Sequence, residues 1–488
     1  MVTSGHLPKG LALLRAKVAS SILRVLRIEG SSMIKITKFG GSSVSSAGQF
    51  KKVKAIVQAD PSRRFVVVSA AGKRDKFDSK ITDLLYLVNA HLQYHVTCDD
   101  LLGTIGQRFC EIAKELNLSY PISHEFGIFR ELAKRGEYTP EYIVSRGEYF
   151  TGRMMAEYLG FPFVDAADVI TFRADSSIDM EKTSEKLKAA IGEEKCFVLP
   201  GFYGATEDGK IKLLDRGGGD ITGAIVAQCL GADLYENWTD VSGFLTADPR
   251  IVDNPKSISR ITYAELRELS YMGASVLHEE AIFPVKDAGI PLVIKNTNAP
   301  DDPGTVISEE TEPGVAEPLI TGIAGKKDFV AIHVKTNHMS SKVGYIRKTL
   351  SIFERYRVSI EHIPTGIDSF AVVVQGSDVK DCLYSIVADI KSELEPDEIK
   401  IVDRLALIST VGRNMPSRPG TSGRLFGELG HAGINIRMIA QGSEELDIVV
   451  GVDVDDFERA IRVIYGAFVD SDDNIITVEE AEEEATNE

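Results

Sequence analysis

The strongest constraint on the fold of this chain is a repeat inside its last third. Val343–Gly366 (VGYIRKTLSIFERYRVSIEHIPTG) aligns without a gap on Pro419–Gly442 (PGTSGRLFGELGHAGINIRMIAQG), 76 residues further on. Each copy follows an apolar run, Phe329–Lys335 or Arg404–Thr410, and precedes another, Phe370–Gln375 or Leu446–Val452. Because the flanking runs recur along with the helical pattern, chance similarity is a poor account. Two βαβ units of about 75 residues each are expected, each unable to bury its apolar face unaided.

Upstream the pattern changes. From Met33, short β-rich apolar runs (Ile34–Phe39, Phe65–Ala70, Phe197–Gly204, Leu234–Thr239, Pro291–Lys295) alternate with helical stretches such as Tyr142–Leu159 and Ile221–Cys229. Such alternation implies a mainly parallel sheet covered by helices on both faces, with ligands bound beyond the carboxyl ends of its strands. A chain of 488 residues exceeds one compact core. The break falls at Asn298–Gly304 and the acidic, proline-bearing Ser308–Pro318. The expected divisions are an extension at 1–32, a catalytic α/β domain at 33–307, repeats at 320–395 and 401–475, and an acidic tail at 476–488.

Composition excludes several classes. A formal net charge of −17 gives no electrostatic footprint for nucleic acid or anionic lipid. No apolar run approaches the roughly 18 residues that span a bilayer. Five scattered cysteines without CxxC pairing point to a reducing compartment, with neither disulfide framework nor zinc site. A cytoplasmic location is expected. In the extension, Arg15, Lys17, Arg24 and Arg27 interrupt any signal-peptide core over Leu11–Ile28, so a functional start at Met33 is preferred to an organelle transit peptide.

Five motifs carry candidate chemistry. Lys38-Phe39-Gly40-Gly41-Ser42-Ser43 follows the first strand, where glycine N–H groups and a lysine can meet a phosphate. It lacks the P-loop spacing, and an ordinary glycine turn is the alternative. Asp215-Arg216-Gly217-Gly218-Gly219-Asp220 combines an anion nest with a guanidinium clamp and a fixed carboxylate, against the reading of a tight turn. Asn237–Gly243 ends a buried strand and is followed by Ala247-Asp248-Pro249-Arg250, a nucleotide site or a capped surface loop. Ser145-Arg146-Gly147-Glu148 opens a long helix, where Glu148 either binds an ammonium or complements the helix dipole. Ser69 and Thr82 are hydroxyls near strand ends that could hold a carboxylate or simply cap.

In their order and spacing, KFGGSS, SRGE, RGGGD, WTDVSG and ADPR resemble the aspartokinases of the amino-acid kinase superfamily, over roughly Met33 to Ile475. The paired repeats look like the ferredoxin-like (βαββαβ) ACT domains that this family carries. The resemblance implies transfer of the γ-phosphoryl of ATP, with Mg²⁺, to the side-chain carboxylate of L-aspartate, the first step toward lysine, threonine and methionine. By position, Lys38 would stabilise the γ-phosphoryl and Asp220 would orient Lys38. Arg216 and Glu148 would bind the α-carboxylate and α-ammonium of aspartate, and Ser69 and Thr82 its reacting carboxylate. Gly40, Gly41, Ser42 and Gly217–Gly219 (Gly217, Gly218, Gly219) would cradle phosphates, and Thr239, Asp240 and Arg250 the rest of the nucleotide. A carboxylate is already nucleophilic, so in-line transfer needs no general base; the obstacle is anionic repulsion. Two positions depart from the pattern. Ser275 replaces a lysine that reaches the nucleotide, with Lys295 or a second metal ion as candidate compensation, and Leu245 replaces a tyrosine.

For the repeats, the resemblance implies an effector site at Met339, Gly344, Tyr345, Ile346, Ile360 and Glu361. Glu361 favours lysine over threonine as the effector, and its counterpart Arg437 makes the copies unequal. The alternative is that these loops only pack at a subunit interface. A homo-oligomer, a dimer or larger, is expected. Rival readings are a glutamate, acetylglutamate or uridylate kinase, which lack such repeats, and a catalytically silent amino-acid sensor. A fused homoserine dehydrogenase is not expected after the repeats.

Overall fold

The computed structural model describes residues 33–192, 195–215, 217–274, 277, 283–309, 317–470 and 475–476. The extension at 1–32 and the tail after Ile476 lie outside these residues, as do Arg216 and Ser275. The chain divides into two compact units, Met1–Asp240 with Glu280–Pro300, and Val241–Glu279 with Asp301–Glu488.

The first unit is built on five parallel strands: β1 (Lys35–Phe39), β2 (Phe65–Val68), β3 (Phe197–Pro200), β4 (Leu234–Thr239) and β5 (Leu292–Asn296). Their order is β3-β2-β1-β4-β5. Runs such as FVVV are buried along their whole length, as a sheet covered on both faces requires. The apolar run Phe197–Gly204 does not form one strand. It breaks after Pro200, where Phe202 adopts a φ of 77°. Gly201 donates to the Val68 carbonyl at 2.8 Å and Phe202 to Thr222 Oγ1 at 2.9 Å, and Tyr203–Thr206 then joins a separate small sheet.

Six helices of this unit matter here: α1 (Ala47–Ala59), α2 (Ile81–Gln93), α3 (Asp99–Glu115), α4 (Ile122–Lys134), α5 (Pro140–Leu159) and α6 (Gly218–Leu230). Helix α5 starts where the Thr139 hydroxyl accepts the Tyr142 N–H, with Pro140 at its first position, and stops at Gly160 with φ 75°. Its Phe150 ring meets Phe109, Phe126 and Phe129 at 5.6–6.0 Å between centroids, locking α3, α4 and α5 together. Within β4 the buried Glu236 is satisfied by Arg63 Nε and Nη2, at 2.8 and 3.1 Å, and by the Trp238 indole N–H at 2.9 Å.

The second unit holds both repeats in one antiparallel sheet. Its elements are β6 (Gly322–Lys335), α8 (Tyr345–Arg355), β7 (Ser369–Gln375), α9 (Leu383–Leu394), β8 (Glu398–Val411), α10 (Thr421–His431), β9 (Met438–Gln441), β10 (Asp447–Asp453) and α11 (Phe457–Phe468). The strand order is β7-β6-β8-β10-β9. The far half of β6, Phe329–Lys335, lies between β7 and Glu398–Leu405 of β8, whereas its near half, Gly322–Lys326, pairs with Leu407–Val411 of β8. A strand preceding the first copy therefore completes the sheet of the second. The copies keep separate cores, Ile332, Phe353, Val372 and Ile386 against Ile408, Leu429, Val450 and Ile461. Their equivalence shows at Gly344 and Gly420, where φ values of 78° and 92° start α8 and α10 and only glycine is unstrained.

One division between the units, Pro300 to Asp301, falls within the break read at Asn298–Gly304, but Val241–Glu279 also groups with the repeats. Ile323 donates to the Thr246 carbonyl at 2.7 Å, and Lys256 N–H to the Tyr465 hydroxyl at 3.0 Å. Helix α7 (Tyr263–Tyr271) opens on a capping box of Thr262 and Glu265. Glu265, wholly buried, also takes Arg413 Nη1 at 2.6 Å and the Thr321 hydroxyl. Replacing Glu265 by alanine leaves Arg413 without its buried carboxylate. Urea unfolding followed by circular dichroism should show the second unit destabilised by about 3–5 kcal/mol.

Candidate functional site

Four loops converge at the carboxyl ends of β1, β2, β3 and β4, and they approach closely because glycines line them. A Cβ on Gly72 would stand 2.6 Å from the Gly41 carbonyl carbon, and one on Gly201 would stand 2.9 Å from Gly219 Cα. Gly72 N–H donates to the Gly41 carbonyl at 2.8 Å, and Gly40 N–H to the Trp238 carbonyl at 2.9 Å. Ser43 anchors the same turn, its hydroxyl 2.7 Å from that of Thr297 and 3.3 Å from the Trp238 carbonyl. Backbone N–H groups and the amino terminus of α6 thus face one small region, the arrangement expected of an anion cradle.

One charged network sits at its floor. Lys38 is buried, and its Nζ lies 2.5 Å from Asp220 Oδ1 and 3.5 Å from Asn237 Oδ1. Asn237 Nδ2 donates to the same Asp220 oxygen at 2.8 Å. The left-handed Gly217, φ 80°, turns the chain into α6 so that Asp220 arrives in its first turn. Strand register supplies the third member, since Lys38 pairs directly with Asn237 across β1 and β4. Asn237 lies within the Asn237–Gly243 motif with no role of its own legible there; only cross-strand register reveals it. Ser69 joins from β2, its Oγ 2.6 Å from where a Cβ on Gly219 would sit, with Lys38 Cε 3.4 Å from the same point.

Glu148 has the opposite environment. It is buried in α5, and its Oε2 has no hydrogen-bond partner among the described residues. Loss of solvent pushes its carboxyl up to about 8, against a smaller opposing pull from the Ala70 N–H and the nearby Arg146. Ala70 follows Ser69 directly, so this carboxyl shares the end of β2 with the Lys38 network. Arg146 is itself buried, stacked 4.1 and 4.3 Å from the Tyr142 and Tyr149 rings, and donates to the Ser145 hydroxyl at 3.0 and 3.2 Å.

The remaining candidates divide. Thr239 and Asp240 end β4, with the Thr239 hydroxyl donating to Asp240 Oδ1 at 3.1 Å, and Thr82 lies half-buried in the first turn of α2. Ser42 lies in the turn after β1, its carbonyl accepting the Ser45 hydroxyl at 3.1 Å. Arg250 belongs to the second unit, where its exposed guanidinium grips Asp248 at 2.6 Å, and Leu245 is in that unit too. Lys295 Nζ lies over the Trp238 ring, 5.6 Å from its centroid. Arg216 and Ser275 fall outside the described residues. In the first repeat, Met339 and Tyr345 are core side chains with Ile346 and Ile360 packed against them, so near Gly344 mainly backbone remains for a ligand. Glu361 accepts the Tyr271 hydroxyl at 2.6 Å.

A model of the amino acid kinase family matches residues 33–296, and one of the ACT domain matches 408–468. Aspartokinase 3 of Bacillus subtilis (strain 168) is 35% identical, over 89% of this chain and 98% of its own length. The crystal structure of Clostridium acetobutylicum aspartate kinase aligns with a TM-score of 0.84 at 47% identity, covering 90% of this chain and 100% of the other. E. coli aspartokinase III, solved with aspartate and ADP (R-state), gives 0.68 at 25% identity over 89% and 99% of the two chains. Its complex with lysine and aspartate (T-state) gives 0.70 at 25% over 90% and 100%.

The burial of Glu148 has a measurable sign. Its carboxyl titrates at about 8 when folded and at an ordinary 4.5 when not. Between these values the folded state holds the extra proton, so stability of the unliganded protein falls as pH rises through this window. In melting curves across that range, Glu148→Gln should be less steep than the unaltered chain.

Proposed function

Because the chain belongs to the amino acid kinase family and, within it, to the aspartokinases, we propose that it converts ATP and L-aspartate to ADP and 4-phospho-L-aspartate. The observation that carries this reading is the pairing of two unlike environments at one strand end: a buried lysine charge held by Asp220 and Asn237, and a desolvated, half-satisfied carboxyl on Glu148. A polyphosphate suits the first, and an ammonium suits the second. The aspartate- and ADP-bound form of E. coli aspartokinase III supports the same pair of ligands.

Lys38 would meet the γ-phosphoryl as negative charge redistributes toward the leaving ADP, while Asp220 and Asn237 fix its ammonium in place. The glycine turns at Gly40–Gly41 and Gly217–Gly219 would lay N–H groups along the phosphates, with Ser42 beside them and Thr239, Asp240 and Arg250 taking the rest of the nucleotide. Glu148, ionised as the substrate ammonium arrives, would hold the aspartate backbone together with Arg216, and Ser69 and Thr82 would aim the side-chain carboxylate. That carboxylate attacks directly, in line with the departing ADP oxygen, so no phosphoenzyme forms. ATP enters as its Mg²⁺ complex, in which the ion spreads the phosphate charge. Such an ion would keep water and substrate phosphates as most of its ligands.

We place this step at the head of lysine, threonine and methionine synthesis, in the cytoplasm, with a catalytic domain at 33–307 and regulatory repeats at 320–395 and 401–475, assembled as a homo-oligomer. Lysine is the favoured feedback effector, bound in the first repeat near Gly344 with its side-chain ammonium on Glu361. The lysine-bound T-state of E. coli aspartokinase III supports that choice.

A hydroxamate assay with aspartate and MgATP, titrated separately with lysine, threonine and methionine, tests acceptor and effector together. Lys38→Ala should lower kcat by about 10²–10³-fold. As pH rises toward the Glu148 value of about 8, KM for aspartate should fall in the unaltered enzyme and stay flatter in Glu148→Gln. An enzyme inert to lysine but inhibited by threonine would overturn the effector assignment. A phosphorylated enzyme competent for turnover, caught by rapid quench, would overturn direct transfer.

A further inference from the structure

The segment between β2 and α2 is gripped from behind by a buried charge. Arg108 lies on the inner face of α3, among Leu102, Ile105, Phe109 and Ile112, and is 2% exposed. The other buried positions of that face are all apolar, so the guanidinium must find polar partners there; its Nε has none among the described residues, and its two terminal nitrogens carry the contacts. Here Nη2 donates to the Gly72 carbonyl at 2.5 Å and Nη1 to the Ser79 carbonyl at 2.6 Å, with Asp78 Oδ2 3.5 Å from Nη2. Arg74 binds that same Asp78 oxygen from the outside, through its backbone N–H at 3.1 Å and its Nε at 2.8 Å. Ile81 N–H closes the neck of the segment on the Ala71 carbonyl at 3.1 Å.

Gly72 is therefore a junction. Its carbonyl is held by Arg108, and its N–H donates to Gly41 in the turn after β1. Ser69 stands three residues before it, and Thr82 follows the neck directly. We propose that Arg108 is a positioning residue for phosphoryl transfer: by fixing the Gly72 and Ser79 carbonyls it holds the acceptor-side hydroxyls of Ser69 and Thr82 in line with the phosphate turn. This rests on the reading of Ser69 and Thr82 as ligands of the reacting carboxylate.

The two sides of the junction are unequally anchored. The phosphate turn has its own ties, Gly40 to Trp238 and Ser43 to Thr297 and Trp238. The Gly72–Ser79 segment is tied to the body of the unit by Arg108, by the Gly72–Gly41 link and, on its exposed side, by Arg74 Nη1 to Glu111 Oε2 at 3.3 Å. Loss of the guanidinium should therefore fall on the acceptor and spare the nucleotide.

Full-length Arg108→Lys, Arg108→Gln and Arg108→Ala test this by initial rates against aspartate and MgATP, beside thermal melts. Arg108→Gln should raise KM for aspartate about tenfold or more, with KM for ATP within about twofold. Arg108→Lys should fall between, because one ammonium cannot span both carbonyls as the planar fork does. Added guanidinium ion should restore part of the aspartate affinity to Arg108→Ala. An unchanged KM for aspartate, or equal losses for both substrates that follow a lowered melting temperature in Arg108→Lys as well, would overturn the role of Arg108 alone. Absence of aspartate-dependent turnover in the unaltered enzyme would overturn the functional reading and this inference together.

Discussion

A lysine ammonium and an aspartate carboxylate 2.5 Å apart set the geometry on which the first unit depends. Lys38 is brought in by β1 and Asp220 by the first turn of α6, elements far apart in sequence; Lys38 is buried and Asp220 partly so, which makes the lysine charge costly without its partner. The remaining features serve that meeting. Parallel register delivers Asn237 as a third partner, and the left-handed Gly217 sets the entry of α6. The glycine contacts at Gly41–Gly72 and Gly201–Gly219 bring the loops close enough to share one cradle.

Two acids at this strand end are kept in different states by their surroundings. Asp220 is matched by a lysine and an amide, whereas Glu148 loses solvent and gains little in return. One carboxylate is thereby committed to the protein, and the other keeps an oxygen without a partner among the described residues. Pairs of acids divided in this way recur where one fold must run steps of different charge.

Much of the first unit was legible in the sequence because its signals are local. FVVV and LYENWT are short strands bounded by polar residues, and KFGGSS and RGGGD place glycines where a backbone must approach another backbone. What escaped depends on distant partners. Arg108 sits in an otherwise ordinary amphipathic helix, and nothing nearby marks the Gly72 and Ser79 carbonyls as its targets. Glu236 looks misplaced in a buried strand until Arg63 and Trp238 are seen around it. The repeat was plain, but its sheet was not: that Gly322–Lys326 pairs with the second copy is a matter of strand order, which periodicity does not encode. Met339 and Tyr345 also look different once folded, as core side chains beside a backbone loop.

The shared sheet bears on how the chain is made. As the polypeptide leaves the ribosome, Gly322–Lys326 emerges well before Leu407–Val411, its partner in β8. The first repeat can gather its helices in the meantime, but the start of β6 must wait as an unpaired edge, open to wrong partners. Long-range closure of this kind is slow relative to local helix formation. Folding therefore closes with a late docking event, and a chain released short of Val411 would carry a sticky ribbon where the finished molecule has a paired strand.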